Sequence, residues 1–282
     1  MEVFTTVAAL RRYRSGLPTA QKVGFVPTMG ALHPGHLSLI ELAAQHSDEV
    51  GVSIFVNPTQ FLPGENYRNY PRDLDGDLQK LAQTPCRWAF CPDVEEMYPG
   101  GADTRVDPGI IGTLYEGAFR PGHFTGVATV VMRLFQIVQP CVALFGQKDA
   151  QQVAVLRRLT RDLHFPVEFL IGPTIRESDG LAMSSRNACL TADQRTKAAV
   201  LHRALKAAEA RILAGEKNAE RVREAMRSVF AEVAEFSLDY GDIVSPESFE
   251  RLTEIRGKIL LIIAGRIGSV RLIDNLSVSL GP

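Results

Sequence analysis

The chain predicts an α/β fold, a Rossmann-like doubly wound parallel sheet followed by a smaller C-terminal α+β lid domain. Short β-branched or apolar runs alternate with segments of helical periodicity through the first two-thirds, the pattern of a sheet covered by helices. The texture then changes after Ile171, where Gly172-Pro173 breaks the alternation and segments rich in Ala, Arg and Glu take over. A length of 282 residues exceeds the usual single domain, so two domains are expected, residues 1–174 and 175–282.

The candidate strands of the first domain are residues 23–27, 50–56, 87–90, 142–145 and 167–171. Between them, residues 37–45, 74–82, 125–138 and 149–163 carry apolar side chains three and four apart, as helices on a sheet do. In the second domain two long helices begin near Thr191. Thr191 with Gln194 three residues on is a capping-box signature, and Asn218 opens the second helix after the stop at Gly215. Residues 238–244, 259–264 and 270–276 are strand-like and complete an α+β unit.

Composition narrows the function classes. The 31 basic and 32 acidic residues leave a net charge of −1 with no Lys/Arg run, which argues against a surface for nucleic acid or anionic lipid. The longest apolar run, residues 259–264, is far too short to span a bilayer, and the first residues lack a secretory leader pattern. Cys86, Cys91, Cys141 and Cys189 show neither CxxC spacing nor a zinc-ligand companion, so reduced buried thiols in a cytoplasmic protein are expected.

The most informative motif is His33-Pro34-Gly35-His36, which follows the apolar run 23–27 and opens an amphipathic segment. Backbone N–H groups at such a strand-to-helix turn converge on negative charge, and two imidazoles beside them suit a nucleotide's phosphates. Far downstream, Met183-Ser184-Ser185-Arg186-Asn187 offers hydroxyls and a guanidinium to the same phosphates. Lys148, in Gly146-Gln147-Lys148-Asp149, stands where a strand ends and a helix begins, the edge that lines the ligand crevice of a doubly wound sheet. Asp149 is placed there either to accept from ribose hydroxyls or to cap the helix. In adenylation a carboxylate attacks the α-phosphate and charge builds on the departing pyrophosphate, so this collection of donors fits that chemistry.

Residues 55–61, Phe-Val-Asn-Pro-Thr-Gln-Phe, lead into the same crevice, where Asn57 and Gln60 either offer neutral hydrogen-bonding groups beside Phe55 and Phe61, a mix suited to a small hydroxylated acid, or belong to a turn initiated by Asn-Pro. Gln151 and Gln152 extend this polar wall from the helix after Lys148. In Arg120-Pro121-Gly122-His123-Phe124, the arginine and histidine either add positive charge near a phosphate or serve the structure. The i,i+3 spacing of His33 and His36 brackets a Pro-Gly turn and lacks the carboxylate of a metalloprotease site.

Taken together, residues 26–36, 55–61, Tyr70-Pro71-Arg72, 120–124, 145–149 with Gln151-Gln152, 179–187 and Arg271-Leu272-Ile273-Asp274-Asn275 make the chain resemble the pantoate–β-alanine ligase (pantothenate synthetase) family, in order and spacing over essentially its whole length. The resemblance implies a nucleotidyltransferase fold related to class I aminoacyl-tRNA synthetases, and a cytoplasmic homodimeric ligase. It implies that pantoate and ATP form pantoyl adenylate with Mg²⁺, releasing pyrophosphate, and that β-alanine then displaces AMP to give pantothenate. Carried over by position, His33, His36, Lys148, Ser184, Ser185 and Arg186 resemble the groups around the triphosphate. Thr28, Met29, Gly35, Gly146, Asp149 and Met183 match positions on the nucleotide, and Asn57, Gln60, Gln152 and Met29 match positions on pantoate. In the family His36 is a proposed general acid, a role open to imidazole because its ordinary pKa lies near neutrality. Relatives with two adjacent acidic residues after the Tyr-Pro-Arg loop use them to organise Mg²⁺; here Asp75-Gly76-Asp77 interrupts the pair, leaving the ion to the phosphates, with Asp77 as a contact through water. Other nucleotidyltransferases would want basic residues where this chain has Asn57, Gln60 and Gln152, and a tRNA synthetase would need a basic face that is not present.

Overall fold

A computed structural model describes residues 1–62 and 67–280. The last two residues of the expected second domain, Gly281 and Pro282, lie outside the described residues. The chain divides into two compact units, one of Met1–Gly146 and Gln151–Gly172, the other of Gln147–Ala150 and Pro173–Pro282.

In the first unit, strands β1 (Glu2–Phe4), β2 (Val23–Thr28), β3 (Glu49–Ile54), β4 (Trp88–Phe90), β5 (Val142–Gly146) and β6 (Glu168–Gly172) form one sheet in the order β1-β4-β3-β2-β5-β6. Every pairing is parallel. The inner strands are covered on both faces, which is why they read as continuous apolar runs rather than as alternation. The helices are α1 (Val7–Gly16), α2 (Pro34–His46), α3 (Leu74–Leu81), the single turns α4 (Val94–Met97) and α5 (Glu116–Phe119), then α6 (His123–Val138) and α7 (Ala150–Asp162).

On one face of the sheet, Val26, Val52, Ala89 and Leu144 pack with Leu39, Ile40 and Ala43 of α2 and Leu81 of α3. On the other, Phe25 stacks on Trp88, Phe135 of α6 meets Phe145 edge-on, and Phe145 stacks on Phe169 with centroids 4.7 Å apart. Each such side chain contributes about 1.5–3 kcal/mol when fully buried. From β2 the chain proceeds outward through β3 and β4 in one direction, then returns to β5 beside β2 and moves outward to β6 in the other. That reversal puts the switch point, where doubly wound sheets hold their ligands, at the carboxyl ends of β2 and β5.

The sequence missed β1 and α1. The strand has only three residues and α1 buries only Leu10, so neither leaves a periodic trace. Helix α2 begins at Pro34 rather than at residue 37, because proline suits a first helical position and His33 serves as its cap.

In the second unit the expected pair of helices is a run of three: α8 (Ala192–Ala198), α9 (Val200–Leu213) and α10 (Ala219–Phe230). The interruption at Ala199 carries no Gly or Pro and so no sequence signal. The Thr191–Gln194 capping box forms, and Asn218 accepts from the backbone of Glu220 and Arg221. Strands β7 (Phe236–Val244), β8 (Lys258–Ile267) and β9 (Val270–Ser279) pair antiparallel in that order. Leu205, Ala208, Ile212, Val222 and Met226 belong to one apolar core with Leu261, Ile263 and Leu272 of the sheet.

The cysteine expectation needs correction. All four thiols are free, but only Cys86 is buried; Cys91 is half-buried, and Cys141 and Cys189 are exposed. Burial pushes the Cys86 thiol up to about 12, keeping it protonated. Among the described residues no helix is long and apolar enough to cross a membrane.

Candidate active site

The candidate residues fall into two sets, one in each unit. In the first unit the chain leaves β2 through a turn in which Gly30 (φ +80°) and Ala31 (φ +50°) are both left-handed. A Cβ on Gly30 would lie 2.9 Å from Asp77 Oδ2, so glycine is required for space as well as for conformation. The non-glycine left-handed residue costs about 1–3 kcal/mol, and Asp77 offsets it. Its carboxylate is almost fully buried and accepts the N–H groups of Ala31 and Leu32, both at 2.7 Å. Lys80 Nζ donates to the Leu32 carbonyl at 2.9 Å. Thr28 Oγ1 donates to the Ser53 carbonyl at 2.6 Å and accepts from Gly30 N–H at 3.2 Å, tying the strand end to the turn.

That geometry gives Asp77 a structural task. Both of its oxygens accept backbone N–H groups, so its carboxylate shapes the turn that carries the histidines. Among the described residues no cluster of three or more His, Cys, Asp or Glu is arranged to hold a metal ion.

The turn delivers the two histidines. His33 is the N-cap of α2, its Nδ1 accepting from Gly35 N–H at 3.2 Å. His36, three residues on, reaches back so that its Nδ1 accepts from His33 N–H at 3.3 Å. This is a capping box with histidine in both side-chain positions. The rings lie 4.0 Å apart, tilted by 36°.

The neutral wall also assembles. Asn57 caps a one-turn helix, Pro58–Gln60. Its Nδ2 donates to Gln60 Oε1 at 3.0 Å and to the Gly126 carbonyl at 3.2 Å, while Gln60 Nε2 points at Met29 Sδ at 3.1 Å. Three of the residues expected at pantoate, Met29, Asn57 and Gln60, are therefore one connected group. A Cβ on Gly126 would lie 2.4 Å from the Thr59 carbonyl, so α6 can approach the turn only with glycine there. Tyr98, which carried no sequence signal, donates to Asn57 Oδ1 at 2.7 Å, and burial raises its pKa.

Arg120 and His123 turn out to be buried supports. Arg120 Nη2 donates to the Gln60 carbonyl at 3.3 Å, and Nη1 lies 3.0 Å from His123 Nε2. A guanidinium only donates, so His123 accepts at Nε2 and donates from Nδ1 to the same carbonyl at 2.9 Å. Gln151 is likewise structural: its amide donates to the carbonyls of Ile111 and Leu114 and accepts from Glu116 N–H, while Gln152 remains half-buried. Gly146 ends β5 with open space where a Cβ would sit.

In the second unit, Lys148, Ser184, Arg186, Asn187 and Arg271 line one pocket. Lys148 is 17 % exposed and its Nζ lies 3.4 Å from Asp149 Oδ1. Ser184 caps the short helix Ser185–Cys189 by accepting from Arg186 N–H, and Asn187 donates to the Ala182 carbonyl. Met183 N–H pairs with the Ile175 carbonyl at 2.9 Å.

What holds this set was not anticipated. Asn275 Nδ2 donates to the carbonyls of Gln147 (3.0 Å) and Lys148 (2.8 Å), and its Oδ1 accepts from Gln147 Nε2 (3.1 Å). Next to it, the fully buried Asp274 carboxylate takes two parallel hydrogen bonds from Arg176, at 2.7 and 3.0 Å. Arg176 also donates to the Gly180 carbonyl, fixing the loop before Met183. His202 lies against Gly180, and burial, followed by the charge of Arg176, lowers its pKa. Arg271 reaches the pocket while its Nε donates to Asp239 at 2.6 Å.

With this geometry established, comparison with known proteins identifies the lineage. The family model described as pantoate-beta-alanine ligase matches residues 2–277. The chain is 51% identical over 258 residues to the pantothenate synthetase of Thermoanaerobacter sp. (strain X514), covering 92% of this chain and 91% of that protein. It is 50% identical to that of Herpetosiphon aurantiacus, covering 98% and 99%. Among solved structures, pantothenate synthetase from Thermus thermophilus superposes with a TM-score of 0.93 at 49% identity, covering 98% of this chain and 99% of that one. Pantoate-beta-alanine ligase from Francisella tularensis, complexed with beta-gamma ATP and beta-alanine, gives 0.80 at 37% identity, covering 98% and 97%. The chain belongs to the pantoate–β-alanine ligase family.

Proposed function

We propose that this protein joins pantoate to β-alanine with ATP as the driving substrate, through pantoyl adenylate. The observation that supports this reading is the histidine capping box after β2 together with the connected Met29–Asn57–Gln60 group, a helix start of the kind suited to phosphate and a neutral hydrogen-bonding wall. A carboxylate oxygen of pantoate attacks the α-phosphorus, the bond to the bridging oxygen of the β-phosphate breaks, and pyrophosphate leaves with that electron pair. The β-alanine nitrogen then attacks the acyl carbon, AMP departs with the acyl–oxygen pair, and the amine's proton passes to solvent.

In this reading residues 1–174 bind ATP and pantoate, and residues 175–282 act as a lid carrying Met183, Ser184, Ser185 and Arg186. His33, His36, Lys148, Ser184, Ser185 and Arg186 stabilise charge on the triphosphate; Thr28, Gly35, Gly146, Asp149 and Met183 seat the nucleotide; Met29, Asn57, Gln60 and Gln152 orient pantoate. Mg²⁺ enters as part of the nucleotide substrate, held by its phosphates. A cytoplasmic homodimer is the expected working form.

Exchange of labelled pyrophosphate into ATP tests the reading: it should require pantoate and Mg²⁺ but not β-alanine, and AMP release should require all three substrates. Exchange that ignores pantoate would overturn it. Lys148→Ala and His36→Ala should each lower turnover by about a hundredfold or more, the loss expected for a transition-state charge partner.

A further inference from the structure

We infer that Tyr98 is a positioning residue for pantoate: its phenol, acting through Asn57, sets the side-chain amide of Gln60. The identity of the substrate rests on the ligase reading; the chain of contacts does not. Asn57 Oδ1 accepts from Tyr98 OH at 2.7 Å, from Thr59 Oγ1 at 2.9 Å and from Thr59 N–H at 3.3 Å, so the phenol makes the shortest of three bonds to one oxygen. On the other side, Asn57 Nδ2 donates to the Gly126 carbonyl at 3.2 Å and to Gln60 Oε1 at 3.0 Å.

A backbone N–H only donates and a backbone carbonyl only accepts, so Thr59 and Gly126 decide which end of the Asn57 amide is oxygen. Both Nδ2 hydrogens are then in use and Oδ1 is crowded with donors, which leaves Asn57 no group for a substrate. It acts on pantoate by holding Gln60. Since Nδ2 meets Gln60 with a hydrogen, Gln60 answers with Oε1, and its Nε2 is turned to Met29 Sδ. The Gln60 backbone is secured separately, its carbonyl accepting from Arg120 and His123.

Tyr98 is itself held from behind. It follows directly on α4, is buried along with Asn57 and Gln60, and reaches Asn57 across 41 residues of sequence. The Arg133 guanidinium lies 4.8 Å over its ring while Nη1 donates to the Met97 carbonyl at 2.9 Å, and the Phe55 ring lies 6.2 Å away. A ring fixed by these neighbours cannot follow a displaced amide, so the amide is tied to the ring. Burial raises the pKa of the phenol, which therefore keeps its proton and donates across the neutral range. Loss of that hydroxyl should loosen the Gln60 amide without unseating the turn that carries it, and the effect should fall on pantoate rather than on ATP.

The experiment has two arms. Tyr98→Phe keeps the ring and leaves Asn57 Oδ1 two donors, so the fold should survive. In the intact enzyme the KM for pantoate should rise about three- to tenfold, with kcat and the KM for ATP within about twofold of the parent. In a Gln60→Ala background the same substitution should change the KM for pantoate by less than about twofold, because the group it positions is gone. An unchanged KM for pantoate in Tyr98→Phe, an equal rise in the KM for ATP, or the same loss in both backgrounds overturns the inference. The second arm needs no substrate. In ¹H–¹⁵N spectra of the ¹⁵N-labelled enzyme, Tyr98→Phe should shift the side-chain amide signals of Gln60, identified by their absence in Gln60→Ala; signals that stay in place sink the contact chain whatever the enzyme acts on. Activity in the parent enzyme that ignores pantoate instead strikes the ligase reading, and the spectra then decide the contact chain alone.

Discussion

In the first unit the histidine pair is fixed by bonds that span two or three residues, with Asp77 added from a helix 45 and 46 positions away. In the second unit the Lys148 segment is fixed by Asn275, 127 and 128 residues distant, and the loop before Met183 by an ion pair spanning 98 residues. In the proposed function both arrangements hold donors for phosphate. The first is built into one turn of chain and forms once a helix starts; the second exists only when β9 has paired and brought Asp274 and Asn275 into place. Local capping therefore sets the imidazoles, and tertiary structure sets the lysine.

Perturbing each support sharpens that contrast. Arg176→Met should have the largest effect on stability, because it leaves the Asp274 carboxylate buried and uncompensated; about 3–5 kcal/mol should be lost in urea or thermal unfolding of the second unit. A loss below about 1 kcal/mol would mean that the long-range ion pair is not what holds the loop. Asp77→Ala should cost about 2 kcal/mol by orphaning the N–H groups of Ala31 and Leu32, and should lower turnover while leaving unchanged the Mg²⁺ concentration for half-maximal activity. A raised Mg²⁺ requirement would return Asp77 to the metal. Asn275→Ala should cost about 1–2 kcal/mol and slow pyrophosphate exchange by about tenfold through loss of Lys148 placement, with the KM for pantoate unaffected.

The smallest effect is expected at an exposed support. Arg195 donates to Asp179 and holds its carboxylate below the ordinary value. A lowered folded-state pKa stabilises the fold above the unfolded value, and that contribution is lost as pH falls through about 4 and below. Since Asp179 is 38 % exposed, Asp179→Asn should cost no more than about 1 kcal/mol at neutral pH, and the Tm gap to the parent should close in acid. A gap that widens in acid would contradict the sign.

The same contrast explains what the sequence made legible. The His33–His36 motif, the Thr191–Gln194 box and the Asn218 cap are relations within a few residues, so residue type and spacing carry them. The inner strands announced themselves because burial on both faces leaves no polar positions. By contrast, α1 fully buries only Leu10, Ala199 breaks a helix without a breaking residue, and Arg120 with His123 serves the Gln60 carbonyl some 60 positions back. Asn275 stood inside a recognised motif, yet nothing in its neighbours states that its amide faces Gln147 and Lys148. The structural task of Asp77 is equally silent in the sequence, because its short bonds go to backbone groups, which have no signature in residue type.

The division of the chain carries a practical consequence for anyone wishing to dissect it. Four residues of the second unit, Gln147–Ala150, are encoded in the middle of the first. No single cut in the gene separates the two: a fragment starting at Pro173 would lack Lys148 and would leave the Asn275 amide without its three partners, while the complementary fragment would carry a lysine stripped of its anchor. Exchanging one half of this enzyme for that of a relative therefore requires two stretches to travel together, the C-terminal unit and the short segment that precedes α7.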